Sequence, residues 1–299
     1  MFSQHFIIAV MAVPLLVTVR FIALSLPWAK TGFFCDDDEI RHPMKTDTIK
    51  GHFMFFLFTI IMLILVPLTE YSLTKHLSRK NRRVTSNPER LLPAAIENIV
   101  YLWSVYVCGD LATSAVVNVG KRTMSRLRPN FLAVCQPDLS QLCKAGSHVF
   151  VEDYTCRGEY SMDEFFSFPS GHAAHSVFFG VFLIMYLQKR CKFIEPFKSL
   201  LQLCIVMFVF FICTSRVRDF KHRLSDVAGG AFVGGALGFF FVIYALKHFR
   251  HARYETSDAD NGYASIDGFL PPEIIITTID HTRKTNFSPT SEYGSVESA

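Results

Sequence analysis

Three short stretches of this chain combine cations, histidines and a carboxylate at spacings suited to phosphoryl chemistry. In residues 121–129, Lys121 and Arg128 stand seven positions apart and Pro129 follows. Residues 169–172 read Pro-Ser-Gly-His. Residues 215–226 carry Arg216, His222 and Asp226. Moving a phosphoryl group through an imidazole needs an attacking ring, a proton for the leaving oxygen and cations for the phosphoryl oxygens. Each stretch borders an apolar run.

On a continuous helix, Lys121 and Arg128 share one face, about 10.5 Å apart along the axis, so both can reach one phosphoryl group. Pro129 ends such a helix, because it disfavours helical geometry at Arg128 and cannot extend the ladder. A membrane helix also commonly ends in cations that snorkel to headgroups, so this motif alone does not separate a site from an anchor. Arg126 falls on another face and is assigned to solvent or headgroups. In the second motif Pro169 presets the entry, Ser170 is an N-cap type and Gly171 admits a ligand close to the backbone. Unpaired N–H groups at a helix start attract anions. His172 then stands in the first turn as a proton donor, whereas His175, one turn on, is assigned a structural role. The plainer reading is a capped helix with an incidental histidine.

The third motif is the most specific. His222 and Asp226 are four apart, and on a helix a carboxylate–imidazole hydrogen bond between them is feasible. That bond would fix the tautomer and leave the other ring nitrogen free to attack phosphorus. Arg216 lies six residues before His222, so a turn must intervene for both to meet one phosphate. Arg218, Lys221 and Arg223 are assigned to headgroups or solvent. An interfacial histidine with no chemistry would explain His222 alone, but not its company.

These residues must be held by a membrane bundle. Hydrophobic residues make up 50% of the chain, charged residues 19%, and 30 are Phe, with a mean hydropathy of +0.27. A soluble chain carries more charge. The apolar residues bunch into runs near bilayer length, at about 6–26, 53–73, 94–117, 173–187, 200–214 and 227–246. The two shorter runs extend into their polar flanks. The first run lacks a charged n-region and a small-residue cleavage site, so it reads as a retained helix. The net charge of +4 is spread over the ends of these runs, which topology explains and nucleic acid does not.

Residues 75–90, 188–192 and 247–253 are rich in Lys and Arg and fall on alternate ends, which makes them cytoplasmic. The three motifs then share the opposite face, where their positive charge departs from the rule and an anionic substrate supplies the reason. Cys35, Cys135, Cys143 and Cys156 lie on that face, in an oxidising compartment, and allow three pairings. Cys135–Cys143 or Cys143–Cys156 is favoured. Cys108, Cys204 and Cys213 are expected to be small packing residues within spans. Cys191, beside a basic run, is a candidate for palmitoylation, with a plain surface cysteine the alternative. Residues 1–253 form the expected membrane domain. Residues 254–299 are polar and read as a disordered cytoplasmic tail, with a β-prone run at 274–279 and an unused sequon at Asn286.

The spacing K-x6-RP, PSGH, SR-x5-H-x3-D resembles the type 2 phosphatidic acid phosphatase superfamily, and within it the integral-membrane lipid phosphate phosphatases. Gly32-Phe-Phe-Cys35, Asp47-Thr-Ile49 and Gly109-Asp-Leu-Ala-Thr113 extend the likeness. The resemblance implies an all-α bundle of six transmembrane helices and a nucleophile at His222, oriented by Asp226. It further implies proton donation by His172, and phosphate held by Lys121, Arg128, Ser170, Gly171 and Arg216. No cofactor or metal is implied. The substrate would be a lipid phosphate monoester: phosphatidate, lysophosphatidate, sphingosine phosphate or ceramide phosphate. Self-association as a homo-oligomer and a plasma-membrane location, with the site outside and the C-terminus cytoplasmic, complete the expectation. The alternatives are a silent lipid-phosphate binder, disfavoured because the motif residues are retained, and a sugar-phosphate phosphatase or phosphocholine transferase on the same scaffold.

Overall fold

The computed structural model describes residues 4–81, 91–143, 148–191 and 197–247. In chain order these form α1 (Gln4–Ser25), α2 (Gly51–Asn81), α3 (Leu91–Met124), the short α4 (Phe131–Cys135) and α5 (Leu139–Leu142), then α6 (Gly171–Arg190), α7 (Phe197–Arg218) and α8 (Leu224–Lys247). Five of the six long helices are long and apolar enough to cross a bilayer, and α1 adds a shorter apolar stretch, Val10–Ser25. The six expected runs map onto these helices. As expected, α6 and α7 reach past their apolar centres into polar flanks. Phe55, Phe56, Phe210 and Phe211 point outward on α2 and α7, a placement that lipid tolerates and water does not. The basic residues 82–90 and 248–253 and the tail from 254 lie outside the described residues.

Helix α6 is the centre of the bundle and packs on α2, α3, α7 and α8. Its Phe178, Phe179, Phe182, Leu183 and Tyr186 are fully buried. The approach of α8 is closer than bulky side chains allow. At Gly230 a β-carbon would strike the Ser170 carbonyl, and at Gly234 the Ala174 carbonyl. Small residues four apart let two membrane helices touch backbone to backbone. At the far end of the bundle, Glu70 of α2 accepts hydrogen bonds from Tyr186 Oη and Arg190 Nε, each at 2.9 Å. This satisfied buried pair joins α2 to α6.

An outer layer caps the other end. Strands β1 (Phe33–Phe34) and β2 (Phe150–Val151) pair antiparallel, Phe33 opposite Val151. Beneath them Phe33, Ile40, Phe131, Tyr154 and Phe165 form a second apolar core. The disulfides are Cys35–Cys143 and Cys135–Cys156, so neither favoured pairing forms. Both of those joined cysteines within one loop. The β1–β2 pairing instead brings Cys35 beside Val149, with its N–H 2.9 Å from the Val149 carbonyl. Cys191 is 2% exposed, with its thiol on Thr69 Oγ1, which removes it as a palmitoylation candidate. Cys204, expected to pack, is exposed on α7.

Candidate active site

The third motif spans the turn between α7 and α8. Helix α7 ends at Arg218, and the N–H groups of Lys221 and His222 both return to the Arg216 carbonyl, at 3.1 and 3.3 Å. Phe220 takes a left-handed φ of 54° to close this turn, a conformation bulky residues adopt only when their surroundings impose it. His222 therefore precedes α8 instead of lying on it. Asp226 sits three residues past the Arg223 cap position and reaches back to the Arg223 N–H at 2.8 Å, half of a capping box. Its carboxylate also accepts from Ser167 Oγ at 2.6 Å and from Arg126 at 2.9 Å.

The expected Asp226–His222 bond is accordingly not made. His222 Nδ1 donates instead to the backbone carbonyl of Ser167 at 2.7 Å. The consequence for the ring is the one sought from the carboxylate. With the proton held on Nδ1, the neutral ring presents a bare Nε2. Ser167 thus links imidazole and carboxylate, its carbonyl on one and its hydroxyl on the other. His222 is 3% exposed. Burial, then the charges of Arg128 and Lys121, push its pKa well below that of an ordinary histidine.

The first motif arrives by a different route from the one its spacing suggests. Helix α3 stops at Met124, and Ser125 turns the chain with a φ of 41°. Arg128 is therefore not on the helix that carries Lys121. Residues 126–128 run beside 164–167 instead, with Arg128 N–H on the Glu164 carbonyl at 3.1 Å and Ser167 N–H on the Arg126 carbonyl at 2.8 Å. The two cations still converge, on Asp163. Lys121 Nζ lies 3.2 Å from its Oδ1, Arg128 Nη2 contacts its Oδ2, and Arg128 Nε donates to its backbone carbonyl at 2.9 Å. Burial disfavours the charged form of Asp163, but Arg128 and Lys121 outweigh it and hold its carboxyl below the usual range.

The second motif caps α6. Ser170 is the N-cap, its hydroxyl 3.5 Å from the Ala173 N–H, and its own N–H donates to the Asp226 carbonyl at 2.9 Å. Gly171 stands in open space, where a β-carbon would touch only Val117. His172 Nε2 lies 3.2 Å from the Ile49 carbonyl. His175 pairs with Asp110 of α3 at 2.6 Å. Arg216 is 1% exposed, bridges Asp47 and Asp219 at 2.9 and 2.8 Å, and has a buried Nε with no hydrogen-bond partner among the described residues. Lys121, Arg128 and His172 all act electrostatically on His222, so the motifs meet in one site.

Several neighbours differ from expectation. Arg126 grips Asp226 and Ser225 instead of facing headgroups. Arg223 pairs with Glu39 at 2.7 Å, and Lys221 is buried. Ser167, Asp163 and Asp219 were given no role, and Asp47 entered only through the likeness of the first loop. They carry no spacing signal of their own and become visible only once the loops are folded.

Residues 101–250 match the PAP2 superfamily. Among curated proteins, Phospholipid phosphatase 1 of Mus musculus is 32% identical over 240 residues, covering 77% of this chain and 80% of the mouse protein. Phospholipid phosphatase 2 of Mus musculus is 31% identical over 242 residues, covering 79% and 84%. The Putative phosphatidate phosphatase of Drosophila melanogaster is 29% identical over 232 residues; the match covers 72% of this chain but 60% of the fly protein. No solved structure gives a significant match.

Proposed function

Because the chain belongs to the PAP2 superfamily, we propose that it hydrolyses phosphate monoesters of membrane lipids through a phosphohistidine. His222 Nε2 attacks phosphorus as the bond to the lipid oxygen breaks, and protonated His172 gives its proton to that oxygen. Water then attacks the phosphohistidine, the P–N bond breaks, and His172 takes the proton from the water. Lys121, Arg128 and Arg216, with the backbone around Ser170 and Gly171, hold the phosphoryl oxygens. Asp226 acts on His222 through Ser167. Positioning and charge stabilisation carry the rate in this scheme.

The observation that carries this reading is His222 itself: buried, its Nδ1 on a carbonyl, and biased toward the neutral ring by the cations that would receive phosphate. A lipid substrate is supported by an apolar groove of about 370 Å³ among α2, α6 and α7, lined in part by Ile64, Phe179, Leu183, Leu201 and Ile205. Phe179 and Leu183 lie seven and eleven residues after His172 on α6, on its helical face. An acyl chain would lie there with its phosphate at the site. The phosphatase names of the relatives support the same substrate class.

The test is turnover by purified protein, in EDTA, of phosphatidate, lysophosphatidate, sphingosine phosphate and ceramide phosphate. Release of phosphate is expected, together with an acid-labile phosphoenzyme in rapid quench. His222→Ala is expected to lose both and still insert and express. Hydrolysis by that variant above a few per cent of wild type would remove His222 as the nucleophile.

A further inference from the structure

We propose that residues 47–49, in the loop before α2, form a positioning strap that holds His172 in line for proton transfer. The proposal rests on the reading of His172 as the proton donor. These residues lie outside 101–250, the region matched by the superfamily.

The strap touches the second and third motifs. Ile49 is buried, and its carbonyl meets His172 Nε2 at 3.2 Å. This contact favours a proton on that nitrogen and opposes rotation of the ring. Thr48 fastens the strap to the catalytic turn: its N–H and hydroxyl donate to the two oxygens of Asp219, at 2.7 and 2.8 Å. The same hydroxyl accepts from Arg218 at 2.6 Å. Asp47 takes Arg216 Nη1 at 2.9 Å, so the strap also bears on a cation of the phosphate set.

The preceding residues brace the assembly. His42 stacks on Phe220 with ring centroids 4.4 Å apart, and Lys45 Nζ lies 4.2 Å from the centroid of the same Phe220 ring. These contacts hold the one bulky left-handed residue of the turn. The His42 N–H donates to the Pro129 carbonyl at 3.0 Å, reaching the first motif as well. A proton donor displaced by about 1 Å can lose a hundredfold in rate, so a mobile first loop would defeat His172 without altering any motif residue.

Thr48 is exposed, so Thr48→Val removes the hydroxyl bonds without opening a core cavity. The probes are lysophosphatidate, whose alkoxide must be protonated as it leaves, and p-nitrophenyl phosphate, whose phenolate leaves without help. Thr48→Val is expected to lower kcat/KM, which reports departure of the leaving group and not the later attack of water, roughly tenfold or more for lysophosphatidate and less than about twofold for p-nitrophenyl phosphate. Thr48→Ser should restore both rates. His172→Asn should show the same leaving-group preference more strongly. Equal losses on both substrates in Thr48→Val, or none on either, while His172→Asn remains selective, would overturn the strap and leave the proton-donor reading intact. So would a Thr48→Ser variant as impaired as Thr48→Val. A His172→Asn variant without leaving-group preference would overturn the proton-donor reading, and the strap's role with it.

Discussion

In the proposed mechanism His222 competes with its own proton for the chance to attack. Burial, Arg128 and Lys121 all disfavour the imidazolium, so the neutral ring persists to lower pH than in an ordinary histidine. Replacing Lys121 with Met removes one opposing charge and raises the His222 pKa. The acid limb of kcat/KM in Lys121→Met should therefore move to higher pH, on top of a lower plateau from the lost phosphate contact. A limb that stays put or moves down would detach Lys121 from His222. The sign for stability is the same. The unfolded histidine takes its proton near pH 6.5 and the folded one resists, so His222 costs stability as pH falls below that value. Residue types and order picked out Lys121, Arg128, His172, Arg216 and His222, which the fold brings together, but not the Ser167 and Asp163 that join them. They could not reveal that Asp226 turns toward Arg223, Ser167 and Arg126. An i,i+4 argument needs both residues on the helix, and α8 begins between them.

At the level of elements, the distance between α6 and α8 sets the distance between Ser170 and Asp226. Adding a methyl at Gly234 drives it into the Ala174 backbone, which has no flexible end to yield, whereas at Gly235 it meets Val177 at an ordinary 3.6 Å. Gly234→Ala should destabilise by about 1–3 kcal/mol and reduce activity as the helices part. Gly235→Ala should be neutral or slightly stabilising, through helix propensity. Thermal unfolding in detergent compares them, and equal effects would mean that the close crossing does not govern the site. The glycines at 230, 234 and 238 went unread in the sequence and take their meaning from the contact of α8 with α6. The end of α3 was not legible, because Pro129 is the stop signal in the sequence and the helix stops five residues earlier, at Met124, where Ser125 turns the chain. Long apolar helices announce themselves by length and composition, but their last turn is settled by what the loop beyond must reach.

For the whole molecule, the long helices run alternately up and down, which gathers the C-terminal ends of α3 and α7 and the N-terminal ends of α2, α6 and α8 around the site. The basic flanks predict that this end is extracellular or lumenal and the C-terminus cytoplasmic. For a cell-surface protein, an impermeant thiol probe should label Gln141→Cys on intact cells, and a tag after Ala299 should need permeabilisation. For an internal membrane, labelling should require opening the lumen. Finding both positions on one side would overturn the topology. The bundle was legible from hydropathy, but the disulfides were not, because Cys35 and Cys143 belong to loops separated by α2 and α3. That separation also orders events during synthesis. Thr48 emerges 171 residues ahead of Asp219, and Cys35 precedes Cys143 by 108. Chains are made from the N-terminus, and contacts between distant residues must wait for the later one. The strap is made early and stands without its anchor until Asp219, just past α7, has followed. The proposed site is thus completed late in synthesis, and a chain cut short before residue 222 holds five of the six long helices without the proposed nucleophile.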